Sequence, residues 1–493
     1  MHTPRDRLSH PQSLLFLSPR RFINEMSAKF PGDLERVSRM SIIEEGDNKC
    51  VRMAHLALVA SHTVNGVAFI HSELIKTTIF KDFYGVFPKK FQNKTNGVTP
   101  RRWLAFCNPP LRGLITGALK TDTWIGDLEL LRGLAPFADD PAFRSQWADV
   151  KHAAKVRLAG VVREVCGIAI SPDALFDIQV KRIHEYKRQL MNVLSIIHRY
   201  QQIKAMSPEQ RKGVVPRVCI IGGKAAPGYD IAKRIIKLVS AVGDKINNDP
   251  DVGDLLKLVF FPDYNVSAAE VIVPASELSQ HISTAGTEAS GTSNMKFAMN
   301  GCLIIGTMDG ANVEIAEEIG KQNMFIFGVS ADAVPSLRRD RATWKVDPRF
   351  HAVVDTIRKG FFGWADYFAP ILSSITGADY YLLGVDFGGY LDAQDRVDAA
   401  YRDKDKWTRM SILSTAGSGK FSSDRTIREC ACLSARAARH ALTTRAPSSN
   451  HNRREGHLAR VQLQAADARR EHIHQKGGRS ADRVPRGAVK RAA

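Results

Sequence analysis

The sequence predicts an α/β fold built on a doubly wound parallel sheet. From Phe176 onward, short apolar segments of strand length alternate with longer amphipathic segments that have helical spacing. Gly-rich turns separate the two kinds of segment, as at Gly222 and Gly223. Strand–turn–helix repeats of this kind are typical of a parallel sheet that binds ligands at the carboxyl ends of its strands.

The pattern alone predicts four strands of this sheet and one helix that connects two of them. The strands are predicted from apolar runs bounded by turn residues, at 215–221, 256–261, 302–305 and 324–327. Residues 231–246 carry apolar side chains at i, i+3 and i+4, so a helix is predicted between the first two strands.

The first part of the chain is predicted to be mainly helical. Apolar residues recur at helical spacing within residues 20–95, as at 52–60 and 72–76. Residues 95–103 form a turn-rich junction because they contain Asn-Gly and Thr-Pro pairs, which interrupt regular structure. More helix is predicted from there to about Gly167.

The net charge of +19 is concentrated near the end of the chain. Residues 430–493 carry 14 Lys and Arg against 4 acidic residues, which leaves +9 for the rest. These 64 residues contain no Phe, Trp or Tyr, and therefore provide no aromatic core and no stacking surface for bases. We predict a disordered basic tail with one helix at 458–470, and no specific nucleic-acid partner.

Cysteine usage and hydropathy argue against a disulfide-rich, a metal-binding or a membrane-spanning protein. The seven cysteines are scattered and odd in number, which favours free thiols in the cytosol over a disulfide framework. Cys430 and Cys432 form a lone C-x-C pair, which does not predict a metal site. No apolar run reaches the ~18 residues of a membrane-spanning helix, so no membrane association is predicted.

Residues 283–297, which read STAGTEASGTSNMKF, carry the first chemical signal. A Gly-Thr-Ser run at the start of a helix exposes backbone amides and hydroxyls to an anion. Lys296, one turn further, is a candidate for a buried amine that forms a Schiff base. On composition alone, an ordinary helix cap followed by a surface lysine is the favoured interpretation.

A basic cluster at 179–189 is the second signal, because it places Lys181, Arg182, Lys187 and Arg188 within eight residues. A solvated basic helix face is the simplest interpretation. If the stretch is helical, Lys181 and Arg182 diverge by ~100° and can serve two different anions. Arginine suits planar bidentate recognition of phosphate, and lysine acts as a point charge.

Several long stretches resemble one family. Residues 287–297, TEASGTSNMKF, closely resemble the pyridoxal-phosphate signature of α-glucan phosphorylases. Other family-like stretches occur in the family's order and begin at Arg39, His62, Lys94, Phe176, Gly222, Gly306 and Gly419. The resemblance extends from about Arg20 to Glu429. It implies the Rossmann-like C-terminal domain of a two-domain GT-B-type glycosyltransferase at 96–429, a helical remnant of the N-terminal domain at 20–95, and an unmatched leader at 1–19.

The resemblance implies pyridoxal 5′-phosphate as the cofactor. Lys296 matches the lysine that binds it covalently. The residues that match its phosphate contacts are Lys181, Gly291 and Thr292. Tyr264 and Asn265 match positions beside the pyridine ring, where the family often has arginine in place of Asn265.

The resemblance also implies the reaction, which is phosphorolysis of terminal α-1,4 bonds of glycogen or other α-glucans by orthophosphate to give glucose 1-phosphate. Arg182 and Lys187 match groups that bind the substrate phosphate and form, with Lys181, the predicted catalytic set. The residues that match contacts to the transferred glucose are Asn96, Tyr186, Glu288, Ser290 and Gly291. Two neighbouring phosphates require fixed cations around them, which accounts for this basic set.

The family is usually a cytoplasmic homodimer, and this chain departs from its pattern at both ends. The family-like sequence starts late, and it stops at Glu429, where an Arg- and Ala-rich run follows as after a frameshift. We therefore expect weak cofactor binding and little or no turnover. The alternatives are a catalytically inactive cofactor- or sugar-binding remnant, a nucleic-acid-binding protein suggested only by the tail, and a nucleotide-sugar glycosyltransferase, which the cofactor-lysine stretch argues against.

Overall fold

The amino-terminal part of the chain is a set of helices with two small sheets. The helices are α1 (Ser9–Lys29), α2 (Leu34–Met40), α3 (Met53–Ala60), α4 (Phe69–Leu74) and α5 (Lys81–Val86), with a π-helical turn at Ile75–Ile79. The strand pairs are β1 (Ile43–Glu44) with β2 (Cys50–Val51), antiparallel, and β3 (Val64–Gly66) with β4 (Phe91–Asn93), parallel. The region predicted as helical thus also contains strands, which are too short to show an alternating pattern.

The junction after β4 leads into a second helical segment. A π-helical turn at Arg101–Phe106 is followed by α6 (Pro109–Leu119), a 3-10 segment at Leu128–Asp139 and α7 (Pro141–Cys166). Asp140 caps α7 by accepting a hydrogen bond from the Ala142 amide. The helix ends at Gly167, which takes the left-handed conformation with φ +70°. The predicted end of the helical segment at about Gly167 is therefore confirmed.

The central sheet has six parallel strands. They are β5 (Leu175–Val180), β6 (Arg217–Gly222), β7 (Leu256–Phe261), β8 (Leu278–His281), β9 (Leu303–Gly306) and β10 (Met324–Ile326). Their spatial order is β10-β9-β8-β5-β6-β7. The chain thus winds outward from β5 in one direction and then from β8 in the other, so the predicted doubly wound sheet is confirmed, with its switch point between β5 and β8.

Helices cover both faces of this sheet, and further helices follow its last strand in the sequence up to the end of the described chain. They are α8 (Gln189–Ala205), α9 (Pro208–Arg211), α10 (Asp230–Asn247), α11 (Val266–Ala275), α12 (Ser293–Met299), α13 (Asn312–Ile319), α14 (Val334–Arg339), α15 (Pro348–Arg358), α16 (Ala365–Thr376), α17 (Leu383–Arg402) and α18 (Lys404–Ala416). Residues 423–432 are also helical.

Each face of the sheet packs against its own hydrophobic core. In β6, Val218 and Ile220 point into one core, whereas Cys219 and Ile221 point into the other. Both sets are buried, which explains why the strands read as continuous apolar runs.

The computed structural model describes residues 9–44, 46 and 49–432, with side chains from Pro19 onward. The predicted tail beyond Cys432, including its helix at 458–470, and the first eight residues of the predicted leader lie outside the described residues. Among the described helices, none combines the length and apolarity needed to cross a bilayer. The seven cysteine thiols are free.

Candidate active site

A cavity of about 420 Å³ opens at the carboxyl ends of β5, β8 and β9. This edge contains the switch point of the sheet, where doubly wound folds bind their ligands. The predicted site residues that line the cavity are Asn96, Lys181, Lys187, Tyr264, Glu288, Ser290, Gly291, Thr292 and Lys296. Groups from widely separated parts of the sequence are thereby brought into one site.

Three predicted site residues lie outside the cavity lining. Arg182 is exposed and forms no ion pair with another described residue. Asn265 is also exposed, and its side chain caps α11 by accepting a hydrogen bond from the Ala268 amide at 3.0 Å. Tyr186 lies beside the cavity, with its ring centroid 4.5 Å from Lys187 Nζ. The roles assigned to these three residues stay predictions.

The basic cluster at 179–189 does not form the helix considered from the sequence. Strand β5 ends at Val180, a loop follows, and a short 3-10 turn covers Glu185–Lys187. Lys181 lines the cavity, whereas Arg182 is exposed. The two residues thus differ in exposure within a loop, and the helical angle considered from the sequence does not apply.

The stretch at 283–297 leads from β8 into α12, which begins at Ser293. Gly291 has φ +71°, in the left-handed region where other residues are strained. Lys296 follows one turn into the helix, as predicted, and it lines the cavity instead of the outer surface. The interpretation as a helix cap with a surface lysine is therefore wrong for Lys296.

Burial shifts the Lys296 amine toward its neutral form. Burial lowers its pKa, while the nearby Cys107 acts in the opposite direction. The amine nitrogen lies 3.6 Å from the centroid of the Trp103 ring. Because a neutral amine is the form that attacks a carbonyl group, Lys296 is suited to a covalent bond with an aldehyde.

Lys181 carries a partly buried amine that contacts no carboxylate among the described residues. Its amine donates hydrogen bonds to the Gln280 carbonyl at 2.9 Å and to His281 Nδ1 at 3.2 Å. Burial, reinforced by the charge of Lys187, lowers the pKa of Lys181 to about 7. The pKa of His281 is lowered well below its usual value by burial and by both lysines, so its neutral ring accepts from Lys181. An anion in the cavity would supply the missing countercharge.

Lys187 and Glu288 form an ion pair at the cavity wall. Burial acts to lower the pKa of Lys187, but the charge and hydrogen bond of Glu288 outweigh it and raise the pKa. The resemblance assigns Lys187 to phosphate and Glu288 to sugar. In this structure the two groups satisfy each other.

Asp309 organises the loop that carries Glu288. Its carboxylate accepts hydrogen bonds from Ser283 Oγ at 2.7 Å and from the amides of Gly286, Glu288 and Gly310 at 2.8–2.9 Å. Burial nevertheless raises its pKa. Since its oxygens are occupied by these donors, Asp309 shapes the loop that carries Glu288.

The sequence interpretation missed several cavity residues, among them His281, Ser283, Asn294, Asp309 and Asn312. His281 ends β8, whose polar residues do not read as a strand. Asp309 and Asn312 lie in the family-like stretch that begins at Gly306, and no chemical role is predicted for that stretch. The signal that would have found them is their position just after a strand of the sheet.

We expect sulfate to stabilise the chain more strongly at pH 6 than at pH 9. Below its pKa of about 7, Lys181 is charged and attracts the anion; above it, the amine is neutral and the attraction is lost. At ten times its Kd, sulfate should add about 1.4 kcal/mol to the free energy of unfolding at pH 6. The measurement is denaturant unfolding at both pH values in sulfate and in chloride of equal ionic strength.

Two variants control this prediction. Lys181→Met should remove the pH dependence of the sulfate effect. Lys404→Met should retain it, because Lys404 lies outside the cavity although burial also lowers its pKa, to about 8. Without sulfate, the depressed pKa of Lys181 makes the unfolded state bind more protons above pH 7, so stability should rise with pH. Equal stabilisation by sulfate at both pH values would contradict the assignment.

Comparisons with known proteins bear on the family of the chain. The chain matches the family model of carbohydrate phosphorylases over residues 8–432. It is 58% identical to Alpha-glucan phosphorylase 2, cytosolic, from Arabidopsis thaliana, over 81% of this chain and 48% of that protein. It is 56% identical to Alpha-glucan phosphorylase, H isozyme, from Solanum tuberosum, over 84% of this chain and 50% of that protein. It is 52% identical to Glycogen phosphorylase 2 from Dictyostelium discoideum, over 83% of this chain and 41% of that protein. The chain thus spans about half the length of the curated relatives it matches.

Proposed function

This chain belongs to the carbohydrate phosphorylase family, and on that premise we propose that it acts in the phosphorolysis of terminal α-1,4-glucosidic bonds of glycogen or other α-glucans. Orthophosphate would receive the glucosyl unit, and glucose 1-phosphate would be the product. The observation that carries this proposal is the cavity at the switch point, where Lys181, Lys187 and Lys296 lie together with Glu288. Relatives named as α-glucan phosphorylases support the substrate class.

The residues of the cavity fit pyridoxal 5′-phosphate in their donor chemistry. Lys296 offers an amine of lowered pKa for a covalent bond with the aldehyde. Lys181 lacks a carboxylate partner and would hold the phosphate with Gly291 and Thr292, and Tyr264 lines the wall for the ring. When bound, the cofactor supplies a phosphate group that can release and take back a proton.

The substrate contacts are proposed from the family resemblance. We assign the substrate phosphate to Lys187 and Arg182, and the transferred glucose to Asn96, Tyr186, Glu288, Ser290 and Gly291. Two anionic phosphates repel each other unless cations lie close to both, and Lys181 and Lys187 line the same cavity. Cations held in place before the reaction stabilise developing charge without reorganisation.

A second candidate function is a cofactor- or sugar-binding protein with little turnover. The position of Arg182 favours it, because this group is assigned to substrate phosphate but is exposed and outside the cavity. Asn265 has the least support among the proposed cofactor contacts, since its side chain already caps α11. Impaired activity of the isolated chain is therefore part of the proposal.

We propose a cytoplasmic location and a homodimer on the basis of the family resemblance. The name of the Arabidopsis relative includes the word cytosolic. The preferred glucan is left open between glycogen, starch and maltodextrins.

The test is to load the chain with pyridoxal 5′-phosphate, dialyse it, and measure glucose 1-phosphate released from maltodextrin in orthophosphate buffer. Cofactor-dependent release would support phosphorolysis. Retained cofactor with no release would favour the second candidate. If the chain neither retains cofactor nor releases product, phosphorolysis and a cofactor-binding role are both wrong.

A further inference from the structure

The family-like stretch at 419–427, which reads GKFSSDRTI, has no role in the proposed reaction. In the fold it lies against residues 95–98, the segment that brings Asn96 to the cavity. The Val98 amide donates to the Phe421 carbonyl at 2.9 Å, and the Ser423 amide donates to the Val98 carbonyl at 3.0 Å. The two segments are therefore joined by their backbones.

Gly97 shows how closely the segments approach. A Cβ atom at this position would overlap the backbone of Ser422. Only glycine fits without displacing one segment, because the obstacle is backbone and not a flexible side chain.

Two side chains of the stretch at 419–427 hold the carbonyl groups next to the cavity. Arg425 Nη2 donates to the carbonyls of Thr95 at 2.7 Å and Asn96 at 3.3 Å. Thr426 Oγ1 donates to the Thr95 carbonyl at 2.8 Å. The Arg425 side chain is only 22% exposed, so these bonds are partly shielded from water.

The other side of the same segment is held by Glu314 of α13. Its carboxylate accepts hydrogen bonds from the Thr95 hydroxyl and, at 3.1 Å, from the Phe69 amide. Thr95 is thus fixed through its side chain by Glu314 and through its carbonyl by Arg425 and Thr426. The Asn96 side chain, in contrast, makes no hydrogen bond within the described part of the chain, so its backbone alone sets its position.

We propose that Arg425 and Thr426 are positioning residues that place Asn96 for contact with the transferred sugar. This role rests on the proposed function, which assigns Asn96 to the sugar. Neither residue reaches the cavity lining. Because Asn96 is assigned to the sugar, loss of their hydrogen bonds should weaken binding of the sugar part of a ligand and not of its phosphate part.

The experiment compares Thr426→Val with Thr426→Ser in the full, cofactor-loaded chain. Calorimetry gives the Kd of glucose 1-phosphate, which carries both sugar and phosphate, and of orthophosphate, which carries phosphate alone. Loss of the hydroxyl in Thr426→Val should raise the Kd of glucose 1-phosphate by about 3- to 10-fold, as expected for one lost hydrogen bond. The Kd of orthophosphate and the retained cofactor should not change, and Thr426→Ser should bind like the unaltered chain.

Asp424→Asn is the matched control. It removes the Arg101–Asp424 ion pair, whose two hydrogen bonds of 2.8 Å join the stretch at 419–427 to the turn that follows residues 95–98, without touching residues 95 and 96. An effect of Asp424→Asn equal to that of Thr426→Val would show general loosening and overturn the positioning role, as would unchanged glucose 1-phosphate binding in Thr426→Val. If the unaltered chain binds orthophosphate but not glucose 1-phosphate, the proposed function fails first, and this role fails with it.

Discussion

Replacement of Lys296 with alanine is expected to abolish covalent retention of pyridoxal 5′-phosphate. Lys181, Lys151 and Lys404 also have lowered pKa values, at about 7, 8 and 8. Amine reactivity alone therefore does not single out Lys296. What distinguishes Lys296 is that its amine lines the cavity beside the Trp103 ring and donates to no described acceptor. Lys151, by comparison, donates to three backbone carbonyls at 2.8–2.9 Å.

The measurement is borohydride reduction of the loaded chain, followed by peptide mass spectrometry. The unaltered chain should carry the reduced cofactor on Lys296, and Lys296→Ala should carry none after dialysis. Lys181→Met should keep the label on Lys296 at saturating cofactor but require a higher concentration, because it removes a phosphate contact and not the amine. A label on Lys181 or Lys404 in the unaltered chain would refute the assignment.

The sequence predicted the sheet well where strands were apolar and bounded by turns. The run at 256–261 has the same bounds as β7, and that at 215–221 is displaced by no more than two residues from β6. Strand β8 escaped notice because Ser279, Gln280 and His281 are polar. They are buried and hydrogen-bonded, Ser279 with His281 and the Gln280 side chain with Asp177 of β5, so these bonds offset the cost of burying polar side chains.

The site was predicted only in part, because tertiary packing decides which of the named residues meet. Resemblance named individual residues, and nine of them meet in one cavity. It did not say that Lys187 and Glu288 would pair with each other, or that Arg182 would face away from the cavity. Both outcomes depend on the loop that follows β5, whose path is set by packing against α8 and by contacts such as the hydrogen bond from Gln189 to the Arg182 carbonyl at 3.0 Å. No pattern in the sequence encodes that path.

If Lys187 binds phosphate and Glu288 binds the sugar, as proposed, their ion pair links the two binding events through one contact. Phosphate must draw Lys187 away from Glu288, or share it, before Lys187 can serve as its cation. Side-chain exposures of 15% and 23% place the pair where water screens the two charges less than at the open surface. A sugar that engages Glu288 would release Lys187 at the same moment. Glucose 1-phosphate satisfies both groups, whereas orthophosphate satisfies one and leaves the other unpaired.

We therefore expect opposite effects from the two single variants on orthophosphate binding. Lys187→Met should raise the Kd of orthophosphate by about 10- to 100-fold, since a charge-assisted hydrogen bond is lost. Glu288→Gln should lower that Kd by several-fold, because Lys187 no longer has a competing carboxylate, and should raise the Kd of glucose 1-phosphate. Calorimetry on the cofactor-loaded chain measures both constants, and the double variant should bind orthophosphate no better than Lys187→Met alone. If Glu288→Gln weakens orthophosphate binding as much as Lys187→Met does, Glu288 orients Lys187 for phosphate instead of competing for it, and the proposed linkage is wrong.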